Sequence, residues 1–187
     1  MILCRWPEPG RCKTRLEPAV GPEGAAHVHR ALAQQTVQTV RQSGLPFELH
    51  GTGAEEAAFQ DWLGQHKFRP QVDGDLGAKL MAAGEPYPVL FLGTDAPNMT
   101  ADHLGLADQE LATHDMMIGP AKDGGYWTIG LSRPCPVLFE DMPWGTERVF
   151  ELTMARAEEQ GLNVHILPEL ADLDRPEDLE RWPQYAP

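Results

Sequence analysis

Short β-type runs alternate with helical patterns along most of this 187-residue chain, and that alternation leaves few folds open. The β-like runs fall at Met1 to Arg5, Phe47 to His50, Phe68 to Val72, Pro88 to Gly93, Met116 to Gly119, Tyr126 to Leu131 and Asn163 to Leu167. Between them, apolar spacing predicts helices over about Pro22 to Ser43, Ala54 to Leu63, Leu76 to Ala83, Ala101 to Leu111 and Glu147 to Gln160. In the first helix Ala25, Val28, Leu32, Thr36 and Val40 recur at helical spacing, and Gly44 is placed as its stop. Strands that alternate with helices bury both faces of a mostly parallel sheet, so the expected fold is an α/β three-layer sandwich. Tyr126 to Leu131 follows its neighbour with no room for a crossover helix, which makes one antiparallel strand there plausible. An apolar content of 42% suffices for one sizeable core, so residues 1 to 187 read as a single domain without repeats or linkers.

Charge narrows the partners. The chain carries 28 acidic residues against 15 Lys and Arg, a net charge of -13 that repels nucleic acid and anionic membrane surfaces. The same field opposes a nucleotide diphosphate, so such a ligand needs a local cluster of cations or a divalent metal. Cys4, Cys12 and Cys135 have neither paired nor metal-ligand spacing, which fits a reducing cytoplasm. No apolar run approaches the roughly 18 residues of a membrane span, and the Met1 to Arg5 segment is too short for a signal-peptide core. A soluble cytoplasmic protein is expected.

In open α/β sheets, ligands sit beyond the carboxyl ends of the strands, so the polar residues after each β run carry the candidate chemistry. After the first run, Gly10 lets the backbone approach a ligand, and Arg11, Lys13 and Arg15 place three cations within five residues. Phosphate binding is the natural reading; a solvated basic loop is the alternative. A Walker A loop needs glycine where Cys12 stands, and the three-glycine dinucleotide fingerprint is absent. After the Phe91 to Gly93 run comes Asp95, stopped by Pro97 and suited to hold Mg²⁺ or Mn²⁺. Thr100 is the better cap for the helix that follows, which leaves Asp95 without a structural task. Asp123, Gly124, Gly125 and Tyr126 form either a plain Asp-Gly hairpin or a hydroxyl-binding loop for a second substrate. Asp172 and Asp174 alternate in an extended segment and share one face, from which they can complete the metal site. Asp174 is equally a credible N-cap for a helix with Pro176 in its first turn. Gly74 and Asp75 read as nucleotide contacts, or Asp75 as a cap for the Leu76 helix. No two histidines stand at helical ligand spacing with a carboxylate, and no serine sits in a nucleophile elbow, so zinc-hydrolase and serine-hydrolase readings fall away.

Six segments carry a family likeness in order: Pro7 to Leu16, Gly74 to Gly77, Leu92 to Pro97, Asp123 to Leu131, Trp144 to Glu147 and Asp172 to Leu179. Together they resemble the DUF2064 family of transferase-1-like, arsenosugar-biosynthesis-type glycosyltransferases within the GT-A nucleotide-diphospho-sugar transferase superfamily. The resemblance implies a GT-A fold in which Gly10, Lys13 and Arg15 meet the phosphates, the Gly74 to Gly77 motif meets the nucleotide, and Asp95 meets the metal. It also implies an acceptor side lined by Asp123 to Tyr126 and by Trp144, Gly145 and Thr146. The implied activity is transfer of a sugar from a nucleotide sugar to a small-molecule acceptor, with Asp95, Lys13 and Asp123 as catalytic groups. The superfamily also contains nucleotidyltransferases that use a nucleoside triphosphate and a small phosphorylated metabolite. A nucleotide-binding protein without turnover is the third reading.

Overall fold

The computed structural model describes residues 1–187. Seven strands form one sheet: β1 (Ile2–Arg5), β2 (Glu48–Thr52), β3 (Lys67–Pro70), β4 (Val89–Leu92), β5 (Met116–Pro120), β6 (Tyr126–Leu131) and β7 (Val164–Ile166). Their spatial order is β3-β2-β1-β4-β6-β5-β7, and β6 runs antiparallel to both of its neighbours while every other pair is parallel. This is the expected three-layer α/β arrangement with the antiparallel strand where the short connection required it.

The sheet buries both faces because successive side chains point to opposite sides. Leu92 and Met117 belong to an 18-residue apolar cluster with Val37, Phe59 and Leu104, from helices α1 (Glu17–Ser43), α2 (Glu56–Leu63) and α4 (Ala101–Leu111). Their neighbours Phe91, Met116 and Ile118 enter a second cluster with Leu80 and Ala157, from α3 (Leu76–Ala83) and α5 (Val149–Glu159). Met116, Met117 and Ile118 are all 0% exposed, so truncating any of them to Ala costs about 2–5 kcal/mol.

Local signals end the helices as the sequence predicts, with one difference. Thr100 caps α4 by accepting from His103 N, and Asp75 caps α3 by accepting from Ala78 N at 2.9 Å. Helix α1 starts five residues earlier than its periodicity suggests, at Glu17, but Gly21 (φ 70°, ψ 171°) breaks it. The regular helix therefore begins at Pro22, whose ring suits a first turn and no later one.

A third apolar cluster joins Leu16, Val28 and Leu32 to Leu173, Trp182 and Tyr185. It folds the C-terminal segment across the start of α1, which brings the 172–174 aspartates against the loop after β1.

Candidate functional site

The carboxyl ends of the parallel strands carry the polar loops, and backbone bonds hold these loops together. Leu170 N donates to Pro120 O at the end of β5, and Lys122 N donates to Leu170 O. Leu173 N donates to Asp95 O at 2.9 Å. The segment is therefore stitched between the β5–β6 hairpin and the loop after β4. In extended backbone Leu173 turns inward, where it is 0% exposed, and Asp172 and Asp174 turn toward the opening.

Lys13 is the centre of the charge network. Its backbone lies in the left-handed region (φ 49°, ψ 39°), which costs a non-glycine residue about 1–2 kcal/mol. That side chain is only 4% exposed. Its ammonium donates to Leu173 O at 2.5 Å, meets Asp95 Oδ1 at 2.7 Å and lies 3.5 Å from Asp174 Oδ1, so three donors face three oxygens. Burial pushes the Lys13 pKa down, but Asp95 and then Asp174 outweigh it and hold it above the ordinary lysine value. Asp95 shows the converse. Its position in the floor of the cleft pushes its pKa up, yet the ammonium prevails and keeps it below the usual carboxylate range. Half of the Asp95 side chain, 53%, remains open to the cleft. Asp174 also pairs with Arg15 Nη1 at 2.6 Å.

Two concavities meet at this network. A cleft of about 440 Å³ is lined by Arg5, Arg11, Lys13, His29, Gln71, Gly74, Asp75, Lys79, Thr94, Asp95 and Asp174, among others. A second lobe of about 280 Å³ is lined by Asp95, Asp123, Gly125, Tyr126, Trp144, Gly145, Thr146, Asp172 and Asp174. Four cations face the first; none lines the second. Beyond the second lobe, and sharing Asp123, Gly145 and Thr146 with it, lies a polar basin with Arg15, Lys122, Arg148 and Arg175.

The candidate residues thus divide. Arg11, Lys13, Gly74 and Asp75 line the first cleft, while Arg15 turns away to Asp174 and the polar basin. Gly10 sits in the exposed turn before them, with φ 78°. Gly77 lines neither cavity; a Cβ there would run into the carbonyl of Phe139, so close packing of α3 already explains it. Gly124 stands behind the hairpin, with φ 85° and the Glu147 backbone against the place a Cβ would take. Phe150 N donates to Gly124 O at 2.8 Å, which fixes the hairpin to the start of α5 and sets Asp123 beside Trp144 to Thr146. The hairpin is also the Asp-Gly turn of the plainer reading: Asp123 Oδ1 accepts from Gly125 N at 2.9 Å.

Asp95, Asp172 and Asp174 share the second lobe but do not bring three ligand atoms within 4.8 Å of one another. Burial first, and then the Asp123 carboxylate, push Asp172 above its ordinary pKa. An ion held by one or two of these carboxylates, with phosphate and water completing its shell, fits such a set; an all-protein cage does not. Asp174 is not the helix cap: Arg175 occupies the N-cap, and the carboxylate of Asp178 accepts from Asp174 N and Arg175 N. Asp174 is thereby free for Lys13 and Arg15.

Sequence reasoning missed His29, Gln71 and Lys79 of the first cleft. His29, buried on α1, bonds through Nε2 to Arg5 O at 2.9 Å, and burial lowers its pKa. Arg5, Gln71 and Lys79 line the wall. Only Lys79 left a signal, as the single cation following Gly74 to Gly77. Tyr126 and Trp144 pack edge to face at 6.4 Å, and the Tyr126 hydroxyl and Trp144 Nε1 are buried without hydrogen-bond partners.

The chain is similar in structure to a provisionally assigned nucleotide-diphospho-sugar transferase from Desulfovibrio desulfuricans G20, with a TM-score of 0.87 and 30% identity over 96% of this chain and 84% of that one. The fold is shared more distantly by a CMP:2-keto-3-deoxy-manno-octonic acid synthetase complexed with CTP (TM-score 0.61, 12% identity, 97% of this chain and 94% of that one). It is shared likewise by a nucleotidyl transferase from Methanothermobacter thermautotroptrophicus (TM-score 0.59, 14% identity, 98% and 95%). No curated protein matches the chain in sequence. No helix is long and apolar enough to cross a membrane. The family DUF2064, described as an uncharacterized protein conserved in bacteria, matches residues 33–146, more than half of the chain, so the protein with this nucleotide-diphospho-sugar transferase fold belongs to DUF2064.

Proposed function

We propose that the protein is a metal-dependent transferase that takes a nucleotide sugar as donor and moves its sugar to a small acceptor. One observation carries this reading: a cation-lined cleft and a cation-free lobe meet at Asp95 and Asp174. The diphosphate belongs in the first, where Arg5, Arg11 and Lys79 have no strong partner. Arg11 meets only the exposed Glu8, an ion pair worth little. The acceptor belongs in the second, beside Asp123. Asp95, with Asp172 or Asp174, would hold Mg²⁺ or Mn²⁺, which supplies charge neutralisation for the departing diphosphate. Lys13 keeps Asp95 ionised and oriented and adds its own positive charge at the junction. Asp123, exposed at the tip of the hairpin, takes the proton from the acceptor hydroxyl. Removing one charge-assisted phosphate contact, as in Arg11→Ala or Lys79→Ala, weakens nucleotide diphosphate binding by roughly 1.5–3 kcal/mol and leaves nucleoside binding nearly unchanged.

A second reading has its own support. The basin that adjoins the acceptor lobe sets Arg15, Lys122, Arg148 and Arg175 against Asp123, Glu147 and Glu177, and its cations could meet a phosphorylated acceptor. Such an acceptor is already an anionic nucleophile, so nucleotidyl transfer would need positioning and neutralisation but no base. The products separate the two. The protein is incubated with Mg²⁺ and a panel of nucleotide sugars, and separately with each nucleoside triphosphate plus small phosphorylated metabolites. Slow release of free sugar and nucleoside diphosphate, reduced in Asp95→Asn, is the expected result. Pyrophosphate formed only when a phosphorylated acceptor is present would replace glycosyl by nucleotidyl transfer.

A further inference from the structure

Outside the cleft, one cluster of metal-ligating side chains has no part in the transferase reading. Glu110 lies in the last turn of α4, His114 follows four residues later in the turn leaving that helix, and His165 is the middle residue of β7. Each can offer one ligand atom within 4.8 Å of the other two. Both imidazoles already converge on one carboxylate oxygen: Glu110 Oε2 lies 3.4 Å from Nδ1 of His114 and 3.1 Å from Nδ1 of His165. The two rings stand 5.2 Å apart at 67°.

The surroundings favour an ion over a chance contact. His114 Nδ1 is also 2.9 Å from Glu110 O; a carbonyl only accepts, so without an ion Nδ1 carries the proton in this contact, and an ion taken at Nδ1 shifts that proton to Nε2. The three side chains are between 20% and 30% exposed, ordered by their neighbours yet within reach of a solvated ion. Donors about 2.05 Å from a tetrahedral ion stand about 3.4 Å apart, so small rotations of the three side chains complete the shell.

We propose that Glu110, His114 and His165 form a Zn²⁺ site whose fourth position is taken by water. Two imidazoles and one carboxylate suit zinc, whereas Mg²⁺ and Mn²⁺ prefer the all-oxygen environment of the cleft. The sites are physically separate, because His165 pairs with Met117 near the start of β5, whereas Asp123 lies beyond its end. β7 is an edge strand held to the sheet by three register pairs with β5, and the ion ties it to the end of α4. The sequence hides the site because its helical pair is a glutamate and a histidine four apart, not two histidines, and the third ligand comes 51 positions after the second.

The test uses the full chain, stripped with chelator and titrated with ZnCl₂ by calorimetry in excess MgCl₂. One Zn²⁺ should bind per chain, and Co²⁺ in its place should give the visible bands of a four-coordinate site. His114→Gln and His165→Gln should each weaken binding by about 10-fold or more. Zn²⁺ at about 100 times its Kd should raise the Tm by about 5–10 °C. His114→Gln changes only a turn residue and tests the site if His165→Gln disturbs the edge strand. Absence of saturable binding, or equal binding in both variants, would overturn the proposal. So would binding that disappears in Asp95→Asn, because the zinc would then belong to the cleft.

Discussion

Replacing Lys13 by Met keeps much of the buried stem and deletes only the ammonium, so it tests whether that charge joins the loop after β1 to the aspartate segment. The Leu173 carbonyl, 2.5 Å from Nζ, would lose its donor, and an unsatisfied buried acceptor costs about 1–3 kcal/mol. Asp95 would lose an ion pair at 2.7 Å, but water screens a side chain that is 53% exposed, so this part is worth about 1 kcal/mol or less. Asp174 keeps Arg15 at 2.6 Å and loses little. The total is about 1–4 kcal/mol, a fall of about 2–16 °C in Tm for a chain of this size. Thermal unfolding followed by circular dichroism at pH 7 in EDTA reads it directly. Two further results should accompany the loss. Mg²⁺ should restore more of the Tm in Lys13→Met than it adds to the wild type, because the ion then faces uncompensated carboxylates. Lys13→Met/Asp95→Asn should lose less than the two single variants together, because the stranded charge goes with the second change. A Tm within ~1 °C of wild type, or simple additivity of the two changes, would refute the argument.

Two other perturbations probe the acceptor lobe. Asp172→Asn should raise the Tm of the ligand-free protein by about 1–2 °C at pH 7, because burial and the Asp123 carboxylate disfavour its ionised form. The sign follows from a raised pKa: the ionisation cost is absent below the ordinary carboxylate pKa and grows as pH rises through the folded value. The gain should therefore vanish in unfolding scans at about pH 3.5. Gly124→Ala should cost at least about 2 kcal/mol in urea unfolding, since a φ of 85° and the adjacent Glu147 backbone both oppose a Cβ. An unchanged urea midpoint would mean that the hairpin does not depend on this close approach.

The sequence alone determined the elements and their layers. Alternation of apolar runs with helical spacing is a local property, written within about ten residues, and it predicted all seven strands to within a few residues at each end. The missing crossover before Tyr126 was enough to expect the antiparallel β6, and Thr100 and Gly44 marked the start of α4 and the end of α1. The strand-end rule likewise pointed to Lys13, Asp95, Asp123 and Asp172 as residues near one edge. What those residues do to one another was decided by the tertiary structure. Lys13 meets Leu173 across 160 positions, and the hydrophobic seat of Leu173 against Leu16 and Val28 sets that contact. Asp174 looked like a cap until Asp178 reached back to take the backbone donors, which released it to Lys13 and Arg15. His29 read as one more residue on a buried helix face, and only the order of β1 beside β4 brings it to the cleft with Asp95. Glu110 and His165 meet because β7 adds to the sheet beside β5, outside the chain order. Local patterns encode the elements because backbone and side-chain spacing is felt within a turn or a strand. The site depends on which strands lie side by side, and that order is chosen by burial over the whole chain.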